Sequence, residues 1–223
     1  MPAAQVSAPA ADKAMRRDAA RNLEKVLAAA DAVFADRGLD ATLADVADHA
    51  GVGVGTIYRR FADKGALVAA LMDDKLVAVT ATVEAAETEA TGWDAFVRFL
   101  QDVSGQLLSD RALGQILIAD PGQESANRLI DAIRPAATRI LKRAQAEGVL
   151  RPEIRFNDVS PLLVMVTTTA DFVAAGNPRV GARYLEVVLN GLRARPDQPA
   201  LPHRALSDAE LDAANRAAST RRR

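Results

Sequence analysis

No cysteine occurs in the 223 residues, which excludes disulfides, thiolate metal centres, iron–sulfur clusters and a cysteine nucleophile. Histidine is nearly as scarce. His49 and His203 are the only two, and neither has companion ligands at metal spacing, so no metal site or cofactor is expected. Aromatic residues make up only 4% of the chain. No apolar run approaches the ~20 residues of a membrane span. The stretch Met1–Ala11 lacks the basic leader and large aliphatics of a secretory signal, and the expectation is a soluble cytoplasmic protein with no membrane partner. An excess of either charge is missing as well: 28 Lys and Arg face 29 Asp and Glu, for a net charge of −1. Such a balance exerts no global pull on nucleic acid, so any binding of that kind has to come from local placement of charge. What the chain does have is 49% hydrophobic residues, enough to build a core and to exclude disorder of the whole.

Apolar spacing of three and four residues runs through the sequence, and no period-two strand pattern or internal repeat interrupts it. Asp12–Arg37 carries Leu23, Val26, Leu27, Ala30, Val33 and Phe34 on one face and reads as an amphipathic helix. Gly38 stands where a left-handed residue ends a helix, and Thr42 where a hydroxyl caps the next one, Leu43–Ala50. Gly51 supplies a second left-handed terminus, and Gly53 opens a third helix through Thr56, Ile57, Tyr58 and Phe61. Two short helices joined by a tight turn containing Gly form a helix-turn-helix plan. Asp63 caps a fourth helix that begins at Lys64.

Further helices are expected over Trp93–Leu108, Leu113–Ile118, Glu124–Ala146, Asp158–Ala175 and Val180–Ala194, with Pro135 kinking or splitting the longest. Breaks fall at Thr91-Gly92, Asp120-Pro121-Gly122, Gly148–Pro152 and Gly176-Asn177-Pro178. The fold class is all-α. A flexible arm (1–15) precedes a three-helix helix-turn-helix domain (16–62) and a second helical domain (63–195). The tail, 196–223, reads as mostly flexible, apart from a short helix over Ser207–Ala218.

Chemistry concentrates in Thr42–Lys64. A helix that reads a DNA groove needs small residues where its backbone approaches and hydroxyl or basic side chains where phosphates pass. Gly53, Val54, Gly55 and Thr56 give an open start, while Tyr58, Arg59 and Arg60 give three polar reaching side chains beside the inward pair Ile57 and Phe61. A solvated surface pair is the plain alternative for Arg59 and Arg60. Lys13, Arg16, Arg17 and Arg21 add cations near the start of the first helix, with Arg17 and Arg21 either touching DNA or simply solvated. The glycine run from Gly51 to Gly55 is not a nucleotide loop, because helix rather than strand precedes it and no Gly-Lys-Ser/Thr follows.

The block resembles the N-terminal domain of the TetR/AcrR family of bacterial transcriptional repressors. Matching residues are Phe34-Ala35 with Gly38, Ala41-Thr42-Leu43 with Val46-Ala47, Ala50-Gly51-Val52, Gly55-Thr56-Ile57-Tyr58 with Phe61, and Lys64 with Leu67. The resemblance covers roughly residues 16–72; a weaker likeness to a family branch lies in Tyr184-Leu185, Val188-Leu189 and Gly191-Leu192. It implies that Thr42, Tyr58 and Lys64 contact phosphates and that Val54, Thr56, Arg59 and Arg60 contact bases or nearby phosphates. Two positions depart from the family pattern. Val54 offers only an apolar contact, such as to a thymine methyl, and Gly65 replaces a frequent acid, weakening the first turn of the fourth helix.

The resemblance also implies a homodimer on a palindromic operator, joined through the last two long helices by Leu162, Val166, Tyr184, Val188 and Leu192. It further implies an unknown, largely apolar effector held among the C-terminal helices. Candidate lining residues are Trp93, Phe96, Leu100, Ile130, Ile133, Met165, Thr168, Thr169 and Phe172, with Arg134 as a polar contact. Ordinary core packing is the competing reading for each. No serine, histidine and acid combination suggests catalysis, and the chain is not expected to be an enzyme. A helical small-molecule-binding protein without DNA function is the alternative to a regulator.

Overall fold

The computed structural model describes residues 8–114, 116–117, 124–174, 176 and 181–221. The chain forms two compact units, Met1–Leu71 and Met72–Arg223. Among the described residues there is no strand, only one antiparallel bridge between Leu150 and Arg193. The expected breaks Asp120-Pro121-Gly122 and Asn177-Pro178 lie outside the described residues.

In the first unit α1 spans Ala8–Arg37, α2 Leu43–Ala50 and α3 Val54–Arg60, and α4 begins at Lys64. The first helix starts four residues before the expected Asp12, inside the stretch assigned to an arm. Gly38 and Gly51 both take left-handed φ, +65° and +62°, a conformation that costs an L side chain energy and glycine nothing. The backbone N–H of Gly51 closes α2 onto the carbonyls of Ala47 and Asp48. Val26, Ala30, Val33 and Phe34 of α1 are buried, as are Val46, Ala47 and Ala50 of α2, Ile57 of α3, Phe61, and Leu67 and Val68 of α4, with α1 packed on α2 and α2 on α3.

The second unit contains the rest of α4, which ends at Glu87, followed by α5 (Gly92–Ser109), α6 (Arg111–Gly114), α7 (Glu124–Ala146), α8 (Val159–Ala174), α9 (Gly181–Leu192) and α10 (Asp208–Arg221). α5 packs on α7 and α8, and α8 on α9. Gly92 permits the first of these contacts. A Cβ there would lie 2.6 Å from the Ala144 nitrogen and 2.7 Å from its Cα. Arg143 fastens the α4–α5 turn by donating to the carbonyls of Glu87, Glu89 and Ala90 at 3.1, 2.8 and 2.6 Å, groups that a helix end leaves without partners. α7 runs through Pro135 without splitting. The ring is exposed, and water can satisfy the carbonyl four residues earlier.

The segment after α9, expected to be mostly mobile, is tied down. Arg151 donates to the Pro199 carbonyl at 2.6 Å, the Leu201 N–H to Glu153 at 3.2 Å, and Asn157 to the Leu206 carbonyl at 2.9 Å. Ser207 and Glu210 cap α10 reciprocally: the Ser207 N–H donates to Glu210 at 2.8 Å and the Glu210 N–H to the Ser207 hydroxyl at 3.3 Å. No described helix is long and apolar enough to cross a membrane.

Candidate DNA-binding surface and apolar cavity

Local rules place the groups of the first surface. Thr42 caps α2: its hydroxyl accepts from the Asp45 N–H at 3.2 Å and donates to the Asp45 carboxylate at 2.6 Å, while its own N–H donates to the same carboxylate at 2.8 Å. Arg37 adds an ion pair to Asp45 at 2.9 Å. The Thr42 hydroxyl and backbone bonds, with the Arg37 charge, hold the Asp45 carboxyl below the usual aspartate range. Thr42 is exposed, but its hydroxyl hydrogen is already committed to Asp45.

α3 turns one side inward and leaves the rest in solvent. Ile57 is buried and Phe61 closes the helix, its N–H donating to the Ile57 carbonyl at 2.8 Å. On the other side Gly53, Val54, Gly55, Tyr58, Arg59 and Arg60 are all exposed, Tyr58 to 57%, and Thr56 is half-buried. A Cβ at Gly53 or Gly55 would meet nothing within 4 Å, so both keep the approach to the backbone open. Arg59 and Arg60 make no ion pair among the described residues, and neither do Arg17 and Arg21, exposed on α1. The side chains of Lys13 and Arg16 lie outside the described residues.

Asp63 caps α4 by accepting from the Ala66 N–H at 2.8 Å. Lys64 is half-buried and donates to the Leu39 carbonyl, which leaves its ammonium two further N–H groups. That contact, and Lys25, whose Nζ reaches within 4.0 Å of where a Gly51 Cβ would be, have no signature in the local pattern.

The second unit encloses an apolar cavity of about 60 Å³, walled by Val79, Leu107, Leu129, Ile133, Leu163 and Leu211 among others. Of the residues expected to hold a ligand, Ile130 and Ile133 line it. Phe96 and Leu100 are packed into the core, and Met165 and Phe172 face solvent, Phe172 to 84%. Thr168 is exposed, Thr169 half-buried, and neither reaches the cavity. Trp93 lies instead under the Arg193 guanidinium, 4.8 Å from its ring centre. Arg134 sits over the ring of Phe156, a wall residue, at 4.5 Å. Its Nη1 donates to Asn157 at 3.2 Å and to Asp208 at 3.3 Å. Leu107, Leu163 and Val79 belonged to apolar stripes indistinguishable from core. Leu211 stands in a polar helix and gave no periodic signal at all.

On α8 and α9 the apolar side chains left in solvent are Val164, Met165, Phe172, Tyr184 and Val187. Of the residues expected at a dimer contact, Val166 and Leu192 are instead turned into the unit's own core, and Leu162 and Val188 are half-buried.

Residues 26–71 match the family of bacterial regulatory proteins described as the tetR family, and residues 91–194 match the C-terminal domain of SbtR-like transcriptional regulators. No curated protein matches the sequence. Among solved structures, the TetR transcriptional regulator SCO0520 from Streptomyces coelicolor is similar at 28% identity and a TM-score of 0.52, over 77% of this chain and 98% of that one. A TetR transcription regulatory protein from Mycobacterium vanbaalenii is also 28% identical, with a TM-score of 0.51 over 81% and 99% of the two chains. The regulator FadR from Bacillus subtilis, solved with stearoyl-CoA, shares the fold at 18% identity and a TM-score of 0.61, over 76% and 98%.

Proposed function

From the premise that the chain belongs to the tetR family of bacterial regulatory proteins and is a DNA-binding transcriptional regulator, we propose that it is a homodimeric repressor released from a palindromic operator by a small-molecule effector. The observation that carries this reading is the outer side of α3, where Tyr58, Arg59 and Arg60 stand exposed beside open glycine backbone over a buried Ile57. A helix of this kind docks in a major groove, with phosphates on either side fixing its register. A two-fold dimer sets two such helices ~34–36 Å apart or slightly more, to meet the two halves of a palindrome. The exposed apolar residues of α8 and α9, Met165, Phe172 and Val187 foremost, support pairing of two subunits there, because patches of this kind mark association surfaces.

Effector release requires only that the effector bind one of two states more tightly than the other. The apolar cavity of the second unit supports that role, as does the stearoyl-CoA bound in Bacillus subtilis FadR, which shares the fold. At about 60 Å³ the cavity is far below the ~300–1,000 Å³ of a typical ligand site, so an effector of ordinary size requires its walls to move apart.

Titration of binding to the chain's own upstream DNA with salt tests the reading. Affinity should fall steeply as salt rises, with a log–log slope of about −0.9 per phosphate neutralised. Arg60→Ala should make the slope shallower by about one unit, and Lys64→Ala should do the same through its two free N–H groups. Unchanged binding in both variants would falsify the assignment.

A further inference from the structure

We propose that the C-terminal segment is a built-in surrogate for the effector, and that the true ligand is an amphiphile with a carboxylate head and a flexible apolar chain that displaces it. The proposal rests on the reading of the second unit as an effector domain. Two side chains three residues apart carry it. Leu211 enters the wall of the apolar cavity and is 6% exposed. Asp208 places its carboxylate on the polar group at the same end, where its Oδ1 accepts from Asn157 Nδ2 at 2.9 Å and from Arg134 Nη1 at 3.3 Å. A carboxylate held by one guanidinium and one amide, with an aliphatic chain running from it into an apolar hole, is the outline of a fatty-acid-like molecule.

The surroundings fit a ligand of that class. Arg134 is stacked on Phe156, and Phe156 is also part of the cavity wall, so the cation stands at the junction of the polar and apolar zones. Among the described residues Ser160 is the one hydroxyl-bearing residue lining the cavity, so a chain against these walls needs no hydrogen-bonding groups. A single guanidinium with a single amide suits a monoanion with two oxygens.

While residues 199–206 are tied down, α10 itself is held in a way that allows exchange. Leu211 is the only large apolar side chain that α10 buries among its described residues. The Arg134–Asp208 pair is open to water, with side chains 34% and 74% exposed, and such pairs bind weakly. The Asn157 bond and the Arg134 charge keep the Asp208 carboxyl below the ordinary aspartate range, so an anion leaves Arg134 as another arrives. Residues 195–221 fall outside the stretch matched by the regulator domain, 91–194.

The test uses the full chain, with decanoate as probe and decan-1-ol as its uncharged counterpart, and dissociation constants measured by calorimetry. Asp208→Ala and Leu211→Ala should each bind decanoate about tenfold more tightly than wild type, because each removes part of the competing closed state. Asp208→Ala leaves every apolar contact in place, so the test survives if Leu211→Ala loosens the fold. Arg134→Gln removes both the cation for the probe and one hold on Asp208, so it should weaken decanoate relative to decan-1-ol, whose binding it should not reduce. Equal affinity of wild type and both segment variants for decanoate overturns the proposal, as does equal affinity of decanoate and decan-1-ol. Gel shifts without any probe report the DNA reading alone. A chain that shifts DNA but shows no tightening refutes the surrogate and spares the regulator; tightening without any DNA shift does the reverse.

Discussion

The hydrogen bonds that shape the first unit mostly join near neighbours, whereas the second unit adds to its local bonds a set that joins residues far apart. Thr42 and Asp45, which set the start of α2, are three positions apart, and so are Asp63 and Ala66 at the start of α4. In the second unit Arg139 reaches Glu87 across 52 positions, Arg143 reaches Ala90 across 53, and Arg134 reaches Asp208 across 74. The DNA-facing surface is therefore assembled from caps and turns that form almost independently, and the cavity exists only once α4, α5, α7, α8 and α10 have all come together. A surface of the first kind survives changes elsewhere in the chain. A cavity of the second kind responds to any of its walls, as a site that senses a ligand has to.

The comparison is broken most directly in the two cores. Phe34 and Phe96 are both fully buried, and replacing either with Ala should cost roughly 3–5 kcal/mol, read by chemical denaturation. Phe34→Ala should also abolish DNA binding under conditions where Phe96→Ala, still folded, keeps it. Equal loss of DNA binding in the two variants would show that the first unit depends on distant contacts after all.

A smaller effect probes the close approach of helices in the second unit. Gly92→Ala would drive a methyl group into the backbone of Ala144, and such overpacking costs roughly 1–3 kcal/mol. Gly55→Ala, with open space around it, should leave stability nearly unaltered and disturb only DNA affinity. A melting curve in which Gly92→Ala matches wild type would sink the packing argument.

Acid should give the smallest change, read at the cap of α10. Glu210 is bound to Arg204, to the Ser207 N–H and to the Ser207 hydroxyl, which together lower its carboxyl from 4.5 to about 2. A lowered carboxyl contributes stability above its unfolded value and loses it as pH falls through the folded one. The difference between wild type and Glu210→Ala in protection of α10 from proteolysis should thus be complete above about pH 4.5 and vanish toward about pH 2. A difference that persists unchanged below that window would mean that the carboxylate is not what holds the cap.

Much of the first unit was legible because its signals are short. The glycines at 38 and 51, the threonine cap at 42, the aspartate cap at 63 and the inward pair Ile57 and Phe61 all sit where local rules put them. Lys64 shows the limit. Its place at the start of α4 could be read from the sequence, but its bond to the Leu39 carbonyl could not, since backbone partners carry no side-chain signature. In the second unit the helices were legible and their neighbours were not: Phe96 and Phe172 carry the same apolar character, yet one lies in the core and the other is 84% exposed.

By itself the sequence determined the all-helical class, the caps at Thr42 and Asp63, the glycine turns at 38 and 51, and the residues presented on α3, because helical periodicity and turn chemistry act over a few positions. Only the tertiary structure decided which apolar stripe surrounds the cavity, that Pro135 leaves α7 whole, that Leu211 enters the cavity wall and that Asp208 meets Arg134. Those outcomes depend on which surfaces meet, and no local pattern records a contact between residues 74 positions apart.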